Sequence, residues 1–330
     1  MKKIIITIMS VLVLALGACA PQPAAAPENG SQAEAGSASL RVLAANSFLA
    51  DIAQNVAGDR VTVDSLIPIG LDPHAFEPTP QDVAKIADSQ VLIINGAGFE
   101  EWIAETISNA GGNTKVVEAA AGLTMREAGE GEPAHEEEAQ SEETHEGEGE
   151  EYHHEGDPHF WLDPNQVVKY VENIRDALSE ADPEGGETYA RNATRYIEQL
   201  RELDTWIRGQ VEQIPAERRI LVTDHDTLGY LADQYGFRVV GAIIPSFSTG
   251  ASPSAQELAE LLNQIAETGA PAIFLDVAAN PQLAEQIAAE AGVKVVANLH
   301  THSVTEAGGV APSYIEMMRQ NTLLIVEALK

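Results

Sequence analysis

Arg219-Ile220-Leu221-Val222-Thr223 is a short apolar run with β-branched members, and Asp224-His225 follows it directly before a helical pattern begins at residue 228. Strand, polar turn and helix in that order make the first part of a βαβ unit, and the same order recurs downstream. Runs at residues 238–244, 272–276 and 294–299 read as further strands, with helical patterns at 228–235, 255–268 and 281–291 between them and at 313–329 after them. The upstream half keeps the same rhythm. Strand candidates at 40–46, 60–67, 90–95 and 115–118 enclose helix candidates at 48–56, 81–87 and 100–109, the second opened by the capping pair Thr79-Pro80. Such alternation implies right-handed crossovers and parallel sheets. The expected fold class is α/β, with two lobes that each carry a four-stranded parallel sheet flanked by helices.

Between the lobes, residues 165–211 are charged and periodic, with Tyr189, Ala193, Tyr196, Leu200, Leu203 and Ile207 spaced along one helix face. The spacing predicts a long helix, interrupted once around Asp182-Pro183 and Gly185-Gly186, that joins the lobes and restricts hinge opening. The expected organisation is a leader over residues 1–19, a tether over 20–39 and a first lobe over 40–164 that contains an insertion at 127–157. The connector at 165–211 and a second lobe at 212–330 complete it.

A chain of 330 residues exceeds what a single core serves well, which agrees with two lobes. A formal net charge of −32 disfavours nucleic acid as a partner, because phosphates are bound through Lys and Arg. Lys2 and Lys3 precede an apolar run over residues 4–18, and Leu16-Gly17-Ala18-Cys19 closes it with small side chains. The run falls short of the ~20 residues a spanning helix needs, so it reads as a secretory signal. Its ending resembles the bacterial lipobox, in which Cys19 becomes the lipidated first residue. Residues 20–39 are Ala, Pro, Gly, Ser, Glu, Asn and Gln, too polar and too rich in small residues to build a core, and they read as a flexible tether. The mature protein is expected outside the cytoplasm, as a monomer held to a bacterial membrane by its lipid. Because Cys19 is the only cysteine, the folded part has no disulfide and no Cys nucleophile, and any metal site there uses His and carboxylates.

Open α/β sheets bind ligands beyond the carboxyl ends of their strands. Four histidines are expected near such ends: His74 after the second strand, His159 at the close of the first lobe, His225 after the 219–223 strand, and His302 three residues past the last strand. Asp-Pro-His occurs at both Asp72-Pro73-His74 and Asp157-Pro158-His159, where proline fixes the backbone and leaves the imidazole free to face a cleft. Neutral imidazole nitrogens suit zinc and its neighbours, and a carboxylate such as Asp72, Asp163 or Asp226 can orient the second ring nitrogen. The His-Glu-x-x-His helix of zinc proteases is missing, since His154-Glu155 is followed by His159 at i+5 across Gly156 and Pro158. No enzymatic activity is expected. Residues 127–157 hold 14 of the 51 acidic residues, four of the nine histidines and no Lys or Arg. They read as a mobile insertion near the cleft, where His135, His145, His153 and His154 can form loose metal sites or the run can serve solubility alone.

The segment Gly70-Leu71-Asp72-Pro73-His74-Ala75-Phe76-Glu77-Pro78-Thr79-Pro80 resembles the signature of the metal-binding solute-binding proteins of ABC transporters, the cluster A-I family of zinc and manganese receptors. Asp157-Pro158-His159-Phe160-Trp161-Leu162-Asp163-Pro164, the stretch around His225 and the helix at Tyr314-Ile315-Glu316-Met317-Met318-Arg319-Gln320-Asn321 are similar to later motifs of that family, so the resemblance runs from about residue 40 to the end. It implies one metal ion between the lobes, with His74 and His159 from the first and His225 from the second. The family's fourth ligand position aligns with His302, with Asp276 or water as the alternatives. Manganese-type members tend to carry Glu at the position of His225 and Asp at that of His302, so Zn2+ is expected ahead of Mn2+. A His- and acid-rich loop is frequent in zinc-type members, which favours metal capture by the insertion. The resemblance further implies an ABC permease and its ATPase as partners, with a surface adhesin or metal-storage protein as the alternative.

Lipid attachment at Cys19 has a direct check. Cys19→Ser is expected to abolish fatty-acid labelling of the protein in its bacterial host, and unchanged labelling would refute the lipobox reading.

Overall fold

The computed structural model describes residues 40–127 and 156–330. Cys19 and the insertion histidines His135, His145, His153 and His154 lie outside the described residues. The first lobe runs β1 (Val42–Ala44), α1 (Ser47–Ala57), β2 (Val63–Ser65), α2 (Pro80–Asp88), β3 (Val91–Ile94), α3 (Ile103–Ala110) and β4 (Lys115–Glu118). All pairings in this sheet are parallel, in the order β2-β1-β3-β4. Every residue of β1 and β3 is buried, as central strands covered on both faces require. The first three extended runs read from the sequence are longer than the strands they hold, while the fourth coincides with β4. At β2 the pairing nonetheless continues past the strand, because Leu66 and Ile67 donate their amides to Ala44 and Ala45 at 2.8 and 3.0 Å. Thr79 and Pro80 open α2 as expected, with Thr79 and Asp82 forming a reciprocal capping box.

Next come β5 (Arg126–Glu127) and β6 (Gly156–Asp157), an antiparallel pair. The expectation that residues 127–157 form a loop throughout is thus corrected at both ends. A two-residue ladder has too little sequence to show a period, and tertiary pairing decides it. A 3-10 turn at Phe160–Leu162 leads into α4 (Pro164–Ala181), capped by the Asp163 carboxylate on the amide of Asn165.

The connector is two helices. After α4, a 3-10 turn at Pro183–Gly185 reverses the chain into α5 (Gly186–Val211), and the two helices pack against each other. Asp182 holds this corner: its carboxylate pairs with Arg60 and accepts from the Tyr189 hydroxyl at 2.6 Å. Glycine is needed at 185, where a Cβ would fall 2.4 Å from Asp182 Oδ2 and 2.5 Å from Tyr189 Cε2. Helix α4 lies on the first lobe, packed on α1, β3 and β4, and the corner turns the chain into α5, which alone carries it across. Its 26 residues span ~39 Å at 1.5 Å per residue. The buried face comprises Tyr189, Ala193, Tyr196, Leu200, Leu203, Ile207 and Val211, the stripe visible in the sequence plus one further turn.

The second lobe repeats the first lobe's strand order. It runs β7 (Ile220–His225), α6 (Gly229–Tyr235), β8 (Arg238–Ile244), α7 (Ala255–Thr268), β9 (Ala272–Asp276), α8 (Pro281–Ala291), β10 (Lys294–Leu299) and α9 (Tyr314–Leu329). Its parallel sheet has the order β10-β9-β7-β8. In each sheet the order reverses beside the lobe's first strand, between β1 and β3 and between β7 and β9. Those reversals open crevices at the carboxyl ends of the strands.

Side chains tie the lobes together. Asp51 on α1 accepts the amide of Tyr314, the first residue of α9, at 2.8 Å, and Ser47 Oγ accepts the amide of Val304 at 3.2 Å. Trp161 Nε1 donates to the carbonyl of Thr301 at 2.6 Å, and the Tyr314 hydroxyl donates back to the carbonyl of Trp161 at 2.6 Å.

Burial raises the Asp51 carboxyl from 3.8 to about 6, against the lowering effect of the Tyr314 amide. The folded protein therefore holds this proton more tightly than the unfolded chain. The associated stability is complete below pH 3.8 and is lost as pH rises through about 6. Asp51→Asn keeps an acceptor for Tyr314 and removes the titration. Urea unfolding between pH 4 and 7 should show a decline in wild-type stability that exceeds the variant's by on the order of 2 kcal/mol, and parallel profiles would contradict the assignment.

Candidate metal centre

Each of the four histidines is delivered by the end of a strand or by the turn beyond it. His74 lies in the loop between β2 and α2, and His159 two residues past β6. His225 is the last residue of β7, and His302 lies three residues past β10. The two Asp-Pro-His tripeptides fold alike: Asp72 Oδ1 accepts the amide of His74 and Asp157 Oδ1 that of His159, both at 2.9 Å. This Asx turn spans a proline that has no amide to compete and whose φ is fixed, so the imidazole leaves the backbone in a set direction.

The four side chains converge. One ligand atom from each of His74, His159, His225 and His302 lies within 4.8 Å of the others. His159 and His225 are fully buried and His302 is 3% exposed, while His74 is half-buried. The Nε2 atom of each ring is buried without a hydrogen-bond partner. Four ring nitrogens gathered in one place and answered by nothing in the protein are an arrangement that a divalent cation satisfies when the rings are neutral.

The opposite nitrogens of three rings are held from behind. His159 Nδ1 meets Asp157 Oδ1 at 2.8 Å and His225 Nδ1 meets Asp224 Oδ2 at 3.0 Å. His302 Nδ1 meets Thr301 Oγ1 at 3.0 Å, and Thr301 gives its own hydroxyl proton to Asp276 Oδ2 at 2.7 Å. With its proton committed to Asp276, the Thr301 oxygen can only accept from His302. Nδ1 therefore carries the proton, and Nε2 keeps its lone pair for an ion.

Of the carboxylates read from the sequence as ring orienters, Asp72 and Asp163 are engaged elsewhere. Asp163 caps α4, and the amide of Asp226 donates to Ser246 in the turn after β7. Asp72 makes its Asx turn through Oδ1, and Oδ2 accepts from Thr249 of the second lobe at 2.6 Å. The orienting groups Asp157, Asp224 and Thr301 are sequence neighbours of the histidines they serve, a signal that adjacency could have provided. Asp276, the alternative fourth ligand, stands behind His302, with Oδ2 3.7 Å from its Nδ1.

Aromatic rings close the back of the centre, a wall that no sequence pattern announced. Phe99 stands edge-on to His74 with centroids 4.8 Å apart, and Trp161 lies 5.1 Å from His159 and is itself stacked on Phe48 at 4.5 Å. Such surroundings set the protonation of the rings. Burial, reinforced by repulsion from His302 and His225, pushes His74 and His159 well below the ordinary imidazole value, so both are neutral and able to coordinate. Burial also acts on His225, but there the Asp224 carboxylate, joined by Asp276 and Asp72, outweighs it and raises the ring above that value. Asp276 is held below the usual carboxylate range by His302 and Thr301 despite its burial.

A ninth histidine, His300, stays outside the centre. Its amide donates to Asn321 Oδ1 and its carbonyl accepts from Asn321 Nδ2, both at 2.8 Å, which clamps the end of β10 to α9 and fixes the turn that carries His302.

The family model described as zinc-uptake complex component A, periplasmic, matches residues 42–328. A manganese-binding lipoprotein, MntA, of Halalkalibacterium halodurans is 31% identical over 330 residues, covering 100% of this chain and 99% of the relative. The periplasmic zinc-binding protein TroA of Treponema pallidum has the same fold, with a TM-score of 0.75 at 27% identity over 88% of this chain and 99% of that one. A manganese-bound periplasmic metal-binding protein from Candidatus Liberibacter asiaticus superposes with a TM-score of 0.73 at 27% identity, covering 88% of this chain and 100% of that one.

Asp157→Asn removes the charge behind His159 and leaves an oxygen in place. Zinc affinity, measured by chelator competition, should fall by roughly 10–100-fold, the range for loss of a ring-orienting partner. Asp163→Asn, altered only at a helix cap, should bind as the wild type does. Equal affinity of the Asp157 variant and the wild type would remove Asp157 from the centre.

Proposed function

This chain belongs to the family of periplasmic A components of zinc-uptake complexes, and from that membership we propose that it captures a divalent metal ion, zinc ahead of manganese, outside the cytoplasm for an ABC importer. The observation that carries the reading is the meeting of four buried, unpartnered Nε2 atoms. His74, His159, His225 and His302 act as the four ligands, and Asp276 remains behind His302.

Two considerations bear on the metal. Relatives such as MntA are named for manganese, which favours that ion by kinship. The donor set favours zinc: four imidazoles form a borderline-soft tetrahedral shell, whereas manganese prefers carboxylate and water oxygens and stands lower in the Irving-Williams order. The donor set is the property of this chain itself, so zinc is the proposed cargo.

The rest of the physiology follows from the family. Cys19 anchors the mature protein to the membrane by lipid, residues 20–39 tether it, and the folded lobes present the loaded site to a permease driven by its ATPase. Among the described residues no helix is long and apolar enough to cross a membrane. The insertion histidines raise the local metal concentration near the cleft, the protein works as a monomer, and it carries out no catalysis.

Loading the purified protein with zinc and manganese in competition and then measuring the bound metal tests the proposal. One equivalent of zinc is expected at equal supply, and preferential manganese loading would overturn the choice of metal. His74→Ala, His159→Ala and His225→Ala should each cost more affinity than the roughly 10–100-fold caused by losing a ring-orienting partner. His302→Ala should cost less than those three, because water can take its place. Wild-type affinity in any one variant would exclude that residue from the ligand set.

A further inference from the structure

A cavity of about 330 Å³, lined mostly by the second lobe, reaches the histidine centre. At its inner end stand His225 and His302, both buried with their Nε2 atoms unpartnered. Its outer rim includes Ser252 and Asn280, both exposed. His74 and His159 do not line it. We infer that this cavity is the passage by which a hydrated divalent cation reaches the four imidazoles and leaves them again, an inference that rests on the metal-capture reading.

Three carboxylates, Asp72, Asp224 and Asp276, line the passage. In a walled, partly dry space they create a negative potential that draws cations inward. Each is already engaged: Asp72 accepts from Thr249, Asp224 from His225, and Asp276 from Thr301. Carboxylates whose oxygens are mostly committed attract an ion while holding it weakly short of the imidazoles. The cavity has room for several water molecules, so a cation can enter hydrated and shed water as ring nitrogens replace it. Because only His225 and His302 face the passage, the ion meets this pair first and His74 and His159 complete its shell. The Asp72–Thr249 bond joins a loop of each lobe at this cavity, so separation of those loops widens the route.

An obstruction in a passage slows entry and exit equally and leaves the equilibrium untouched, whereas damage to the site changes affinity. Ala279 lines the cavity, is half-buried and touches none of the proposed ligands in any recorded bond. Stopped-flow zinc exchange against a chromophoric chelator would compare the full chain with Ala279→Trp, and with Ser252→Trp at the exposed rim should the first variant fold poorly by circular dichroism. Association and dissociation are both expected to slow by ~10-fold or more, with the dissociation constant held within about twofold. Unchanged rates in a folded variant would show that the ion travels elsewhere. Weakened affinity with an unchanged association rate would make the cavity part of the site and overturn its role as a passage. Failure of the unaltered protein to bind zinc tightly would refute the four-histidine reading itself and is distinguishable from either result.

Discussion

Four imidazole nitrogens held within 4.8 Å of one another and denied any hydrogen-bond partner constitute the constraint around which this molecule is organised. A buried acceptor left unsatisfied costs about 1–3 kcal/mol, and four at one point would push the rings apart or invite water unless each were fixed from outside. The surrounding chain supplies that fixation. Asp157, Asp224 and Thr301 each hold an Nδ1 from behind, and Phe99 and Trp161 occupy the space into which the rings could otherwise turn. A cation bound among the four nitrogens would satisfy all of them at once.

Holding that geometry requires that the two lobes keep their relative position, since the four histidines come from both. A hinge of loose strands would let the centre drift by more than the few tenths of an ångström that ligand distances tolerate. Here α5 crosses between the lobes as one uninterrupted helix. Asp51, Ser47, Trp161 and Tyr314 add hydrogen bonds on the lobe boundary. Trp161 has two roles in this arrangement. Its ring belongs to the wall behind the metal centre, and its indole nitrogen grips the carbonyl of Thr301, the residue that orients His302. Position of the lobes and orientation of a ligand are thereby coupled through one side chain.

The two Asp-Pro-His turns also show why one motif can serve two ends. Both Asp-Pro-His turns use the same Asx bond to the histidine amide. In the buried copy, Asp157 Oδ1 also takes the ring nitrogen of His159, whereas in the half-buried copy Asp72 turns its second oxygen toward Thr249 across the lobe boundary. The local conformation is the same, and the environment decides whether the carboxylate orients a ring or ties two lobes. Charge differs among the rings: Asp224 keeps His225 attractive to protons, while His74 and His159 are driven neutral by burial and by repulsion from His302 and His225.

Much was legible in the chain before any fold was seen. Period-2 and period-3.6 runs are local properties, so the α/β class, the eight main strands and the buried stripe of α5 could be read from residue spacing alone. The strand-end positions of His74, His225 and His302 followed from the same reading, and the repeated Asp-Pro-His pointed to His159. What lay beyond reach depended on contacts between residues far apart in sequence. The β5–β6 pair is set by partners on either side of an acidic insertion, and the return of α4 onto the first lobe turns on Asp182 meeting Arg60 across more than a hundred residues. Phe99 joins the centre only because the β3 turn is packed beside His159, and Asp276 reaches His302 through the Thr301 hydroxyl. Sequence alone determined which chemical groups are available and on which elements they ride, because propensity and period act over a few residues. Only the tertiary structure decided that the four rings meet and that Phe99 and Trp161 back them, since those contacts join residues far apart in the chain.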